Sequence, residues 1–296
     1  MSFKTNRPPG PVSALSGFSL LGISGPDAAT FLQAQTMNDV RALAPGHWHW
    51  NGWLNAKGRL IALFALLKLA DDDFIVVLPD FPAEQLLPLL QRYVFRSKLR
   101  LQVIDDLVAA AQPSPPAADD GRHGDRIAGD RQSGLLLDFS GDELRRNLLL
   151  LPAGSELLAA PDADCDDEWL AADLAHGLPR LAASQSEAWT PQMLSLQRMH
   201  AFSLGKGCYP GQEIVARTHY LGQARRSMSR VGGTALEVAA TITDAGGSAI
   251  GTVISVTRDG CNGLAVVQSD KAAQGALAGT RVVALSCFLE GLQRPV

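Results

Sequence analysis

The sequence predicts an α+β protein that ends in a small all-β domain, and three observations carry that reading. Two almost continuously apolar runs, residues 60–69 and 74–78, flank Asp71-Asp72-Asp73. They read as a hairpin whose strands are buried on both faces. Apolar residues at helical spacing recur between such runs, around Phe31, along residues 83–94 and along 166–178. After Arg225 the texture changes to short runs, residues 227–231, 249–256, 263–268 and 281–289, separated by glycine turns such as Asp259-Gly260 and Asn262-Gly263. That is the pattern of a small barrel.

The elements follow in order. Residues 1–12 are rich in Pro and Gly and are expected to lie loose. A first strand is expected near residues 20–23. Pro26 suits the first position of a helix that sets Ala28, Phe31, Leu32 and Gln35 on one face. Gln33, Gln35, Asn38 and Asp39 read as solvated polar positions, or as groups able to address a heteroaromatic ring. His47 and His49 face one side of a strand, but a third metal ligand is not nearby. Residues 55–59 form a turn carrying Lys57 and Arg59. Pro88 either starts or kinks the helix of residues 83–94. Residues 97–104 alternate as a strand. Residues 109–134 are rich in Pro, Ala, Asp, Arg and Gly and read as a flexible linker. Two strands follow at 135–137 and 148–151. A helix over 166–178 opens on acidic residues, carries Trp169, and closes on Gly177 and Pro179.

A length of 296 residues fits about two domains. The formal net charge of −4 disfavours direct nucleic-acid binding, though not a local basic face. The four cysteines have neither CxxC pairing nor metal-like spacing, so a reducing, cytoplasmic setting and no stably bound metal are expected. The start lacks an apolar core of the signal-peptide kind, and no apolar run reaches membrane-spanning length.

The densest chemistry lies in Lys206-Gly207-Cys208-Tyr209-Pro210-Gly211-Gln212-Glu213. Its glycines and proline shape a tight loop. A helix is expected from Gln212 with Gly211 as its N-cap. Cys208 would then precede a helix N-terminus, where the dipole, Lys206 and Arg217 favour a thiolate. The alternative is an inert cysteine in a turn. The octapeptide resembles the KGCY-x-GQE signature of the YgfZ-type folate-binding proteins, relatives of the glycine cleavage T-protein (aminomethyltransferase). Support extends to Ile214-Val215-Ala216-Arg217-Thr218, Leu221-Gly222-Gln223-Ala224-Arg225-Arg226, Thr190-Pro191-Gln192-Met193-Leu194, Gly25-Pro26-Asp27-Ala28, Lys57-Gly58-Arg59 and Tyr93-Val94-Phe95-Arg96-Ser97-Lys98. Ser195 stands where the family commonly has Asn.

The resemblance implies a two-subdomain, aminomethyltransferase-like, folate-binding body followed by the barrel. The expected division is 1–108 for the first α+β subdomain, 109–134 for the linker, 135–222 for the second subdomain with the loop, and 223–296 for the barrel. It implies tetrahydrofolate or a derivative as ligand, seated between the two halves. Trp169 and Phe18 would be its aromatic contacts, and Gln192, Tyr209, Glu213 and Arg225 further contacts. It implies Cys208 as the reactive group, with Lys206 and Arg217 as modulators. Partners would be iron–sulfur enzymes or cluster-assembly proteins, and through them tRNA modification. A lone thiol does not hold a cluster, which generally takes about four thiolates. Two other readings stay open. One is a tetrahydrofolate-dependent one-carbon transferase, whose carboxylate the sequence does not place. The other is an RNA-binding module using Arg217, Arg225, Arg226 and Arg230.

Overall fold

The computed structural model of the chain describes residues 11–113, 124–222, 224–270, 276–278 and 281–294. Two open sheets stack face to face and a closed barrel adjoins them. The first sheet has the order β3 (His47–Leu54), β4 (Leu60–Ala70), β5 (Asp73–Pro79), β2 (Phe18–Ser24), β6 (Arg100–Ile104), all antiparallel. The second has the order β11 (Leu158–Ala159), β1 (Val12–Ala14), β7 (Leu107–Pro113), β10 (Arg146–Pro152), β9 (Gly134–Asp138), β8 (Ala128–Asp130). Only β1 and β11 run parallel within it.

The apolar hairpin reads as predicted because both its faces are covered. Phe64, Leu66, Phe74, Val76 and Leu78 pack with Phe31 and Leu32 of α1 (Ala28–Gln35) and with Leu86 and Leu90 of α2 (Ala83–Gln91). The alternate residues Leu63, Ala65, Leu67, Ile75 and Val77 meet Leu135, Leu137, Leu148 and Leu150 of the second sheet. Each such side chain contributes roughly 1.5–3 kcal/mol on full burial. Helix α2 runs through Pro88, neither starting there nor ending. Helix α3 (Ala163–Ala175) opens three residues before the expected start, because Asp162 caps it: its Oδ1 accepts from Asp164 N at 2.8 Å. Gly177 follows in the left-handed region (φ +70°).

Several expectations are corrected. The expected linker 109–134 is partly sheet. Ala109, Ala110 and Ala111 are buried in β7, and β8 pairs with β9. Small side chains suit a strand closely flanked by β1 and β10, but their composition resembles a linker. Residues 114–123 of that segment lie outside the described residues, as do residues 1–10 of the start expected to be loose. Asn262-Gly263 opens a strand instead of a turn. Gln33 and Asn38 are buried, not solvated. Gln33 Oε1 accepts from Val40 N at 2.8 Å. Asn38 Nδ2 donates to Trp50 O at 2.8 Å and His200 O at 2.7 Å. Both amides serve the backbone beyond α1.

The barrel runs β12 (Arg226–Gly232), β15 (Asn262–Gln268), β14 (Ala249–Val256), β13 (Thr241–Asp244), β16 (Ala276–Ala278), β17 (Arg281–Ser286), and β17 closes onto β12. Its strands β13 and β16 are not evident from sequence, being short and poor in large apolar residues. Among the described residues no helix is long and apolar enough to cross a membrane.

Candidate functional site

A cleft opens where the start of β2, the residue after β5, helix α3 and the barrel strand β14 converge. Its larger chamber, about 660 Å³, is lined by Phe18, Asp80, Leu170, Arg180, Gln185 and Ile254 among others. A smaller chamber of about 300 Å³ shares Phe18, Asp80, Leu170 and Arg180 and adds Trp169 and Arg258. Phe18 and Trp169, the two aromatic contacts expected from the sequence, thus face one cleft. Their ring centroids lie 6.4 Å apart, edge to face.

A chain of alternating charges holds these rings. Arg180 clasps Asp80 with both arms of its fork, Nε to Oδ2 at 2.6 Å and Nη2 to Oδ1 at 2.8 Å. Its Nη1 donates to Asp173 Oδ2 at 2.8 Å. The other oxygen of Asp173 pairs with Arg146 Nη2 at 2.6 Å. Arg180 lies 4.9 Å from the Phe18 ring centroid and Arg146 lies 4.5 Å from that of Trp169. Burial alone would lower the pKa of Arg180, but Asp173 and Asp80 outweigh it and the net shift is upward. Asp173 is fully buried, so the pairing is what permits three charges in the interior. Gly17 makes room for it: a Cβ there would stand 2.6 Å from Arg180 Nη2 and 2.7 Å from Asp80 Oδ1.

Sequence reasoning missed Arg146, Arg180 and Asp80, and saw Asp173 only as a helix residue. One signal was available: Arg180 directly follows the Gly177-Leu178-Pro179 stop of the Trp169 helix. Asp80 sits at φ +59°, a left-handed position at the end of β5 that Asp tolerates.

The octapeptide loop forms a second site. Helix α4 (Gln212–Leu221) starts at Gln212 with Gly211 as N-cap at φ +78°. The loop rests on the turn of residues 55–59: a Cβ on Gly211 would stand 2.6 Å from Asn55 O and 2.7 Å from Gly58 Cα. Cys208 is exposed. Lys206 turns inward. Its ammonium donates to Thr36 O and, at 3.0 Å, to Asn38 O, and burial lowers its pKa to about 8. Tyr209 is buried under the Lys206 ammonium, 5.0 Å from its ring centroid, and burial raises its pKa to about 12. Gln192 is buried and donates to Val215 O at 2.9 Å, tying residues 190–194 to α4. Glu213, Arg217 and Arg225 are exposed at the surface. Ser195 adopts the left-handed region (φ +51°), which Asn enters more readily than Ser, and its Oγ accepts from Met228 N of the barrel.

The structure does not bring the two sets of predicted residues together. Cys208, Lys206, Gln192, Tyr209, Glu213, Arg217 and Arg225 are absent from the walls of the Phe18–Trp169 cleft. The thiol is open to solvent, but not at the mouth of that cavity. His49, weighed as a metal ligand, is buried against Asn51, and burial lowers its pKa to about 3. Among the described residues no three His, Cys, Asp or Glu side chains group to hold a metal.

The architecture is that of the aminomethyltransferases. The chain superposes on glycine cleavage system aminomethyltransferase T from Bartonella henselae with a TM-score of 0.72, over 96% of this chain and 86% of that one. Identity there is 17%, so the likeness is one of fold. Residues 12–120 match the model of the GCVT N-terminal domain. Two relatives called tRNA-modifying protein YgfZ are close in sequence. That of Vibrio vulnificus (strain CMCP6) is 30% identical over 236 residues, 75% of this chain and 70% of the relative. That of Edwardsiella ictaluri (strain 93-146) is 30% identical over 73% of this chain and 69% of the relative. The chain belongs to the YgfZ family.

Proposed function

We propose that the protein binds tetrahydrofolate or a derivative in the Phe18–Trp169 cleft and supports the assembly or repair of iron–sulfur enzymes, and through them tRNA modification. The observation that carries the folate reading is the cleft itself: two aromatic rings edge to face, each under a guanidinium, in a volume suited to a small ligand. A pterin offers flat faces for Phe18 and Trp169 and N–H donors for a carboxylate. Asp80 is the carboxylate common to both chambers. Arg180 already engages both its oxygens, which suits it to accept hydrogen bonds with its remaining lone pairs more than to move protons. Arg258 at the rim of the smaller chamber offers a cation to an anionic tail.

Cys208 supplies the reactive group in this reading. Exposed on a loop fixed by backbone contacts, it can meet a partner's thiol, sulfur or iron transiently. The name borne by the relatives supports the link to tRNA modification, and the reading puts the protein in the cytoplasm.

Calorimetry with tetrahydrofolate tests the pocket. Wild type is expected to bind and Trp169→Ala to bind at least tenfold more weakly; a wild type that does not bind removes the folate claim. Complementation of cells lacking the protein, scored by iron–sulfur enzyme activity, tests the thiol. Cys208→Ala is expected to fail, and full rescue would discard the thiol's role.

A further inference from the structure

The segment after β17 does not stay with the barrel. Leu289 N donates to Ala175 O, at the end of α3, at 2.9 Å. Glu290 O accepts from Asp142 N at 3.0 Å. Trp50 Nε1, on β3 of the first sheet, donates to Leu292 O at 2.8 Å. Two residues on, the Arg294 side chain is fully buried. Its Nη2 donates to Asp138 O and Ser140 O, and its Nη1 to Gly291 O and Gln293 O. None of these acceptors is a carboxylate. Arg146 and Arg180 differ in this respect, since each of those has an aspartate. A buried cation whose hydrogen bonds, among the described residues, go only to carbonyls is costly, and burial, against the pull of Asp138 and Asp125, lowers its pKa to about 10.

Arg294 also lies over an aromatic ring, 5.0 Å from the Trp48 centroid. Trp48 stacks on Phe139 at 5.0 Å and 14°. Phe139 lies 5.9 Å from Trp169, and Trp169 lies 6.4 Å from Phe18. An aromatic file therefore runs from the cleft to the Arg294 chamber. The indole N–H groups of Trp48 and Trp169, both buried, have no acceptor among the described residues.

We propose that the chamber filled by the Arg294 side chain is a binding site for a flat, guanidine-bearing heterocycle, occupied by the chain's own guanidinium until such a ring displaces it. A ring edge of the form N–C(NH2)–N presents coplanar donors as a guanidinium does. The carbonyls of Asp138 and Ser140 would accept them and the Trp48 face would stack on the ring. Pterins and guanine share that edge. The pterin arm rests on the folate reading, and the guanine arm does not. Displacement would also reach the thiol loop. Arg294 O lies 3.3 Å from His200 Nδ1, His200 O accepts from Asn38 Nδ2, and Asn38 O accepts from Lys206.

Titration calorimetry on the full chain tests the proposal, with tetrahydrofolate and guanosine as separate probes and wild type, Trp169→Ala, Arg294→Ala and Arg294→Lys as proteins. Removing the internal competitor is expected to tighten one of the two probes about tenfold, the factor recovered when a competent state populated about one-tenth of the time becomes dominant. Millimolar methylguanidinium is expected to compete with that probe in Arg294→Ala and not in wild type. A folded Arg294→Ala, judged by near-ultraviolet circular dichroism, that binds neither probe more tightly than wild type overturns the proposal. Should that variant not fold, Arg294→Lys, which keeps the charge and loses the planar fork, replaces it: tighter binding of one probe upholds the proposal and unchanged binding of both overturns it. A gain in Arg294→Ala with Trp169→Ala unchanged from wild type upholds the chamber and sinks the cleft reading. A loss in Trp169→Ala without a gain at Arg294 does the reverse.

Discussion

The cleft and the thiol loop bury cations by opposite means. In the cleft, Arg146 and Arg180 share Asp173, and Arg180 also holds Asp80. In the loop, the Lys206 ammonium donates to the carbonyls of Thr36 and Asn38 and has no carboxylate partner among the described residues. The first arrangement is charge-compensated and shapes a cavity. The second uses an ammonium as a peg for backbone, and leaves the thiol outside on a frame of glycines. Rigidity thus comes from electrostatics in one place and from chain geometry in the other.

The most severe way to break this contrast is Asp173→Ala. It strands the buried Arg146 guanidinium and leaves Arg180 with Asp80 alone, and a cost of about 3–5 kcal/mol in urea unfolding is expected. A loss below ~1 kcal/mol would show that the charges are not compensated as described. Lys206→Met comes next, at roughly 1–3 kcal/mol, because two buried carbonyls lose their donor. It also carries a pH signature. The folded pKa of Lys206, about 8, lies below its ordinary value of 10.5, so the folded state disfavours the proton. The group's contribution is fully present above 10.5 and is lost as pH falls through about 8. Wild-type stability relative to Lys206→Met is expected to rise across that window, and a flat difference would contradict the buried ammonium. Gly211→Ala forces a side chain into the left-handed region against Asn55 and Gly58, at a cost of about 1–2 kcal/mol for the backbone alone, read as a lowered Tm. Cys208→Ala should shift stability by no more than ~0.5 kcal/mol, because the side chain is exposed. Normal stability with lost complementation would separate the thiol's chemistry from the loop's architecture.

What the sequence revealed follows the reach of its signals. The doubly buried hairpin was plain because residues 60–69 and 74–78 carry few polar interruptions. The Gly211 cap, the Gly177 stop and most barrel strands were legible from local chemistry. Strand β7 was not, because Ala109, Ala110 and Ala111 are buried by neighbours from residues 12–14 and 146–152 that no local window contains. The same holds for the cleft. Phe18 and Trp169 came from the family resemblance, whereas Arg146, Asp173, Arg180 and Asp80 form a unit only in space, with partners up to 100 residues apart. Lys206 was read as a neighbour of the thiol, but its ammonium goes to the turn after α1, about which the spacing of the octapeptide says nothing.

The chain crosses between the stacked sheets twice, from β1 to β2 through Leu15, Ser16 and Gly17 and from β6 to β7 through Asp105 and Asp106. Val12 finds its parallel neighbour only at Leu158. On the ribosome, strand β1 therefore gains β7 only once residue 111 has emerged, and β11 only once residue 159 has. A nascent chain arrested near residue 108 would hold strand β1 without either of the neighbours that flank it here, so protection of residues 12–14 from protease should begin only in longer arrested chains.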